Sequence, residues 1–241
     1  MSTEWIARLW QNYWPMFLRG AWLSLLIALV GTMVGLVIGL AVTSIRIVPP
    51  RKTLVGRVLQ KLINALLIVY IELFRSTPMM VQAMLIYYGS ELFLGISIDK
   101  LHAAFIIVSI NTGAYMAEIV RGGIQAIPKG QFEACRAIGL SHTQSMIQVI
   151  LPQTLRNILP ATANEFIVNL KDSAVLNIIS VNELFFVSKS IAGSNIRYFE
   201  TFLITSVIYL CMTVPMNQAL RYLERRMDGP KTFNVQEANL S

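Results

Sequence analysis

Charge is what this sequence has least of. Asp, Glu, Lys and Arg make up 14% of its 241 residues, against 55% hydrophobic side chains. A soluble domain is about one quarter charged, so this chain cannot clothe a water-facing surface, and its long apolar runs point to lipid as the solvent. Cysteine is nearly absent: Cys135 and Cys211 are far apart and lack metal-ligand spacing. The first falls in a loop and the second in a span, which speaks against a disulfide. There is no GxxxxGK[ST] run, so the chain cannot cradle nucleotide phosphates by that means. The two histidines, His102 and His142, fall on opposite sides of the membrane in the topology below, and no metal site or nucleophile can share them. The first apolar run is too long for a cleavable signal and lacks a small-residue cleavage site. The net charge of +7 is spread over loops and builds no aromatic-interleaved patch, so it argues for basic loops on one membrane side and against nucleic acid.

What is present is a series of spans. Residues 1–18 carry Trp5, Ile6, Leu9, Trp10, Tyr13, Trp14 and Phe17 at helix-like spacing, which reads as a short interfacial helix. A first span runs from about Gly20 to Ile45, long enough for a hydrocarbon core about 30 Å thick. Within it Gly31, Gly35 and Gly39 recur every fourth residue. That is either a stripe for close helix approach or the loose glycine usage of membrane helices. A basic, proline-broken loop with Arg46, Pro49, Pro50, Arg51 and Lys52 follows. The second span, about 62–88, is interrupted by Glu72 to Pro78. The third covers about 101–120, the fourth about 155–181 with a break at Lys171-Asp172-Ser173, and the fifth about 201–220. A polar tail at 226–241 reads as disordered.

Five spans set the orientation. Thirteen Lys and Arg residues fall in loops on one side, among them Arg57, Lys61, Arg121, Arg136 and Arg225, against five on the other, Arg8, Arg19, Lys100, Lys189 and Arg197. The richer side is the cytoplasm, which puts the N-terminus outside and the C-terminus inside. The two remaining cations, Arg75 and Lys171, sit at membrane depth.

The polar stretch from 121 to about 152 is the most informative part of the chain. Glu133 to Ala137 are helix formers with small side chains, and Gly139 supplies the backbone freedom that ends such a helix. His142 to Val149 reads as a second helix, closed by Pro152. Two short helices joined at a glycine make a knob that can dock in a groove on a cytoplasmic partner. The alternative is a hairpin that only ties the spans together.

The run Glu133-Ala134-Cys135, three residues, Gly139, nine residues, then Val149-Ile150-Leu151-Pro152 resembles the cytoplasmic EAA motif of permeases in bacterial ABC importers. It departs at Cys135, where alanine is usual, and at Val149, where isoleucine is usual. Glu72 to Pro78, Ala117-Glu118-Ile-Val-Arg121-Gly-Gly, Leu151 to Asn157, and Asn164-Glu165-Phe with Lys171 to Ser173 are similar to the polar amino-acid uptake permeases, of the histidine, glutamine, arginine and cystine type. Together these cover about residues 18–225, a single transmembrane domain. The resemblance implies an all-α, five-helix fold of the type I importer kind in the bacterial inner membrane. It implies a second permease subunit, identical or related, two ABC ATPase subunits and an extracytoplasmic substrate-binding protein. ATP and Mg would be used by the ATPase, with no cofactor, metal or catalytic site on this chain. Glu133, Ala134, Arg136 and Gly139 would belong to the ATPase contact.

Ionised groups at membrane depth cost about 2.5–3.5 kcal/mol on insertion scales, so they face protein or a water-filled cavity. Two interrupted helices are what a midplane polar site requires. If the substrate is an amino acid, Asp172 or Glu72 suits its ammonium, and Arg75, Ser76, Thr77 and Ser173 suit its carboxylate. Asn169 lies one turn before Asp172 and is expected on the same face. The alternative is that Glu72 pairs with Arg75, and Lys171 with Asp172, only to fix helix contacts. Glu118 and Arg121 read as a surface pair, while Glu165 fits packing and cavity roles equally. Two other functions fit less well. A carrier driven by an ion gradient would want an inverted repeat that five spans do not give, and an assembly factor would not want polar residues in two spans.

Overall fold

A computed structural model describes residues 3–50 and 53–227. Arg51, Lys52 and the tail from residue 228, with Lys231, lie outside the described residues. The described chain is helical nearly throughout, with no strand among the described residues. Its helices are α1 (Thr3–Arg46), α2 (Leu54–Ser76), α3 (Met79–Leu94), α4 (Lys100–Gln125), α5 (Lys129–Ala137), α6 (His142–Ser145), α7 (Leu151–Asp172), α8 (Leu184–Asn195) and α9 (Tyr198–Met227). Among the described residues α1, α2, α4 and α9 are each long and apolar enough to cross a membrane. The run from His142 to Ile179 and α8, bent by 54° to each other, count as a fifth span if the pair is taken as one.

The expected boundary near residue 18 does not occur. α1 passes through Pro15 without ending and reaches about 66 Å at about 1.5 Å per residue. The aromatic-rich first half is held by burial: Leu9, Phe17 and Ala21 pack on Leu184, Val187, Ile191 and Ile204 of α8 and α9. That tertiary partner, invisible in local spacing, outweighs the one backbone bond that Pro15 forgoes.

The glycine stripe faces α4. A Cβ on Gly31 would overlap Val108 Cγ1, one on Gly35 would lie 2.7 Å from Thr112 Cγ2, and one on Gly39 would lie 2.6 Å from the Met116 carbonyl carbon. At Gly39 the obstacles are Met116 Cβ at 2.5 Å and the backbone of Met116 and Ala117, none of which can yield without moving α4. Dispersion at this close approach is what holds helices together where lipid removes the hydrophobic drive.

α2 and α3 both pack against α4, but the expected second span at 62–88 is divided between them: α2 is a span by itself and α3, beyond the break at Pro78, is a shorter apolar helix. Ile71 packs with Ala117, the Tyr70 hydroxyl donates to the Ile110 carbonyl at 2.7 Å, and Ala83 packs with Ile107 and Val108 farther along. α4 begins at an N-cap, Asp99, whose carboxylate accepts from the N–H groups of Leu101 and His102. The backbone N–H of His102, then its ring, and then the Leu101 N–H hold that carboxyl below its usual range.

The seam between α1 and α4 makes a direct prediction. Gly39→Val should lower thermal stability of the detergent-solubilised protein by about 1–3 kcal/mol, the usual cost of overpacking. Gly122→Ala, where an added Cβ meets nothing within 4 Å, should be neutral or stabilising by up to about 1 kcal/mol. Equal losses from both would show that close approach does not define this seam.

Candidate functional site

The first helix break is built by a proline and repaired by two amides. Pro78 has no N–H, so α2 ends at Ser76 and leaves carbonyls without helical partners. Gln82 Nε2 lies 3.0 Å from the Phe74 carbonyl, 2.9 Å from the Thr77 carbonyl and 2.8 Å from Thr77 Oγ1. Asn111 Nδ2 donates to Gln82 Oε1 at 2.8 Å and reaches the Phe74 carbonyl at 3.3 Å, so α4 clamps the clamp. Both amides are buried. Glu72, Arg75, Ser76 and Thr77 stay on the open side of the break. No ion pair joins Glu72 to Arg75 among the described residues; the Arg75 guanidinium lies 5.6 Å from the centre of the Tyr115 ring instead.

The second break is a change of helix type. α7 ends at Asp172, a 3-10 turn runs Ser173–Ile179, and Ser180 turns left-handed before α8. Asn169 faces inward and away from Asp172, contrary to the expected shared face. It is 3% exposed, donates to Thr32 Oγ1 at 2.9 Å and accepts from Thr112 Oγ1 at 3.1 Å, tying α7 to α1 and α4. Ser173 is also buried, its hydroxyl donating to the Leu170 carbonyl at 2.9 Å. Lys171 and Asp172 are exposed, with no ion pair between them within 4 Å among the described residues. Glu165 is half-buried two turns before Asp172 on the same flank of α7. An open face bearing these charges at membrane depth requires water or a partner subunit against it, not acyl chains.

Beyond the break Glu183 is fully buried and caps α8, accepting from the Phe185 and Phe186 N–H groups at 2.9 and 2.7 Å. The Ser24 hydroxyl of α1 meets the same carboxylate at 3.4 Å. Gln82, Asn111 and Glu183 were not singled out in the sequence. The available signal was simple: each is a polar side chain inside or beside an apolar run, where an unpaired polar group is expensive.

At the Arg46 end the expected Glu118–Arg121 pair is present, at 2.6 Å, and it is a trio. Arg46 of α1 reaches the other carboxylate oxygen at 3.2 Å, so the group joins two helices.

α5 follows and ends as its sequence predicts. Gly139 adopts φ +76, its N–H donates to the Arg136 carbonyl, and the Leu140 N–H donates to the Cys135 carbonyl, both at 3.0 Å. Phe132 packs on Ile127, Met146 and Ile150, and Cys135 is buried. Glu133, Ala134, Arg136 and Gly139 all face outward, and Ile138 is 75% exposed. α6 starts at a reciprocal cap in which Ser141 and Gln144 bond each other's backbone. It does not close at Pro152. A π turn at Met146–Ile150, with the Leu151 N–H donating to the Met146 carbonyl, widens the helix just where the proline ring enters, and the helical run continues into α7.

Against known families, residues 53–229 match the model of the binding-protein-dependent transport system inner membrane component. The glutamine transport system permease protein GlnP of Escherichia coli K12 is 38% identical over 222 residues, covering 90% of this chain and 97% of that one. The arginine transport system permease protein ArtQ of Bacillus subtilis 168 is 31% identical over 213 residues, covering 88% and 93%. Among solved structures, the crystal structure of an amino acid ABC transporter with histidines superposes with a TM-score of 0.79 at 35% identity. It covers 94% of this chain and all of that one.

The amide clamp is testable by a double-mutant cycle. Gln82→Leu and Asn111→Ala should each cost about 1–3 kcal/mol in detergent unfolding, the price of a buried carbonyl left bare. The pair together should cost clearly less than the sum, because one network is lost twice. Strict additivity would mean the two amides act independently.

Proposed function

We infer that this chain, which belongs to the family of binding-protein-dependent transport system inner membrane components, is the membrane-spanning permease subunit of an ATP-driven amino-acid importer in the bacterial inner membrane. The observation that carries the mechanism is the knob at α5. It offers small and charged residues to a partner while its buried side anchors to the root of α7. Basic loops at that end support a cytoplasmic placement, with the N-terminus outside. Two ATPase subunits would seat the knobs of two permease subunits, and ATP and Mg would act there. An extracytoplasmic binding protein would deliver the amino acid.

The unbroken helical run from α6 to α7 makes a short lever. Movement of α5 would enter the π turn and pass along α7 to the break at Asp172, reversing access to an open face that the charged flanks of the two breaks would share. On that face Glu72 or Asp172 takes the ammonium, and Arg75, Ser76 and Thr77 take the carboxylate. Asn169 and Ser173 hold the frame behind it. An ion-gradient carrier is disfavoured, since the similar chains are permeases of transport systems, one of them in an ABC transporter.

Glu133→Arg or Gly139→Val should abolish co-purification with the ATPase partner while membrane insertion is kept. Asp172→Ala should keep both and lose uptake in proteoliposomes. Unchanged uptake kinetics in that variant would make Asp172 structural only. Uptake that survives ATP depletion and stops with a proton uncoupler would replace the importer by the carrier.

A further inference from the structure

Where α1 ends and α2 begins, two cavities share a wall. One, about 290 Å³, is mostly apolar and lined by Ile45, Leu59 and Ile63 among others. The other, about 340 Å³, gathers Arg46, Arg57 and Lys61. Val48, Gln60 and Asn64 line both. Gln60 closes the seam by donating to the Val48 carbonyl at 2.7 Å and the Pro49 carbonyl at 3.3 Å.

The charge in the second cavity is poorly neutralised. Between Glu4 and Glu72 the sequence has no acidic residue. Arg46 has Glu118, but Arg57 and Lys61 have no ion pair among the described residues. The seam also carries an orphan acceptor, Asn64 Oδ1, buried with no hydrogen-bond partner, a group that calls for a donor the described chain does not supply. The opposite flank of the same turns is apolar and open, with Leu54 72% and Val55 79% exposed. A helix start that is apolar on one flank and cationic on the other sits at the boundary between acyl chains and headgroups.

We propose that the adjoining cavities form a binding site for one anionic phospholipid of the leaflet at the basic end. An acyl chain lies along Ile45, Leu59 and Ile63, and the phosphate lies between Arg57 and Lys61. A headgroup with free hydroxyls supplies the donor that Asn64 lacks. Basic pockets between membrane helices take such headgroups, and two juxtamembrane cations strengthen binding by roughly thirtyfold. The site concerns lipid alone and stands whatever substrate the transporter carries.

The test is native mass spectrometry of the full-length permease complex titrated with phosphatidylglycerol, phosphatidylcholine or inorganic phosphate. The complex should retain phosphatidylglycerol well above phosphatidylcholine. Arg57→Gln with Lys61→Gln should weaken that retention roughly thirtyfold, and Arg57→Lys with Lys61→Arg should restore it. Equal retention of the two lipids would overturn the proposal, as would an unaltered preference in the Gln pair. Competition by phosphate alone at millimolar concentration would reduce the site to an anion pocket without a chain groove. Loss of the ATPase subunit from the Gln pair, with lipid retention unchanged, would assign the cations to a protein contact.

Discussion

Hydrocarbon offers a backbone no hydrogen-bond partner, and that constraint shapes both helix breaks of this bundle. A helix that breaks at membrane depth must bring its own substitutes. At Pro78 the substitutes are two amides, Gln82 from the following helix and Asn111 from α4. At Asp172 the chain tightens into a 3-10 turn, so few carbonyls are freed, and the next helix begins on a buried glutamate cap. Both devices keep the backbone satisfied while turning a polar flank outward. That combination gives walls stable in lipid together with polar flanks at membrane depth.

The bundle divides into a stiff frame and an exposed knob. The frame is the α1–α4 seam, closed by glycine contacts in the middle, by the Thr32–Asn169–Thr112 network towards α7 and by the Arg46–Glu118–Arg121 trio at one end. The knob is α5, held on one flank by Phe132 and Cys135 and free on the other. Because α6, the π turn and α7 are one helical run, the knob and the second break are mechanically contiguous. The π turn departs from the α-helical register at that junction, as such turns often do at functional sites.

Much of this is legible in the sequence. Local chemistry carries the span count, the break at Pro78, the break at Asp172 and the end of α5 at Gly139, and it offers the glycine seam as one of two readings, because proline, glycine and intramembrane charge each impose their own geometry. What stayed hidden depended on partners distant in sequence. The continuity of α1 through Pro15 needs α8 and α9, more than 160 residues away. The inward turn of Asn169 needs Thr32 and Thr112; helical spacing alone put it beside Asp172. Pro152 reads as a stop signal, and only the π turn before it lets the helix run on.

The central claim is that the α5 knob lies in the cytoplasm and is covered by a nucleotide-hydrolysing partner. Cysteine placed at Ile138, a large apolar side chain 75% exposed at the end of the knob, gives a direct measurement with a membrane-impermeant maleimide. The account predicts no labelling in intact cells, labelling in inside-out vesicles stripped of the partner, and protection when the partner is added back. Labelling from outside intact cells would contradict both the topology and the coupling mechanism.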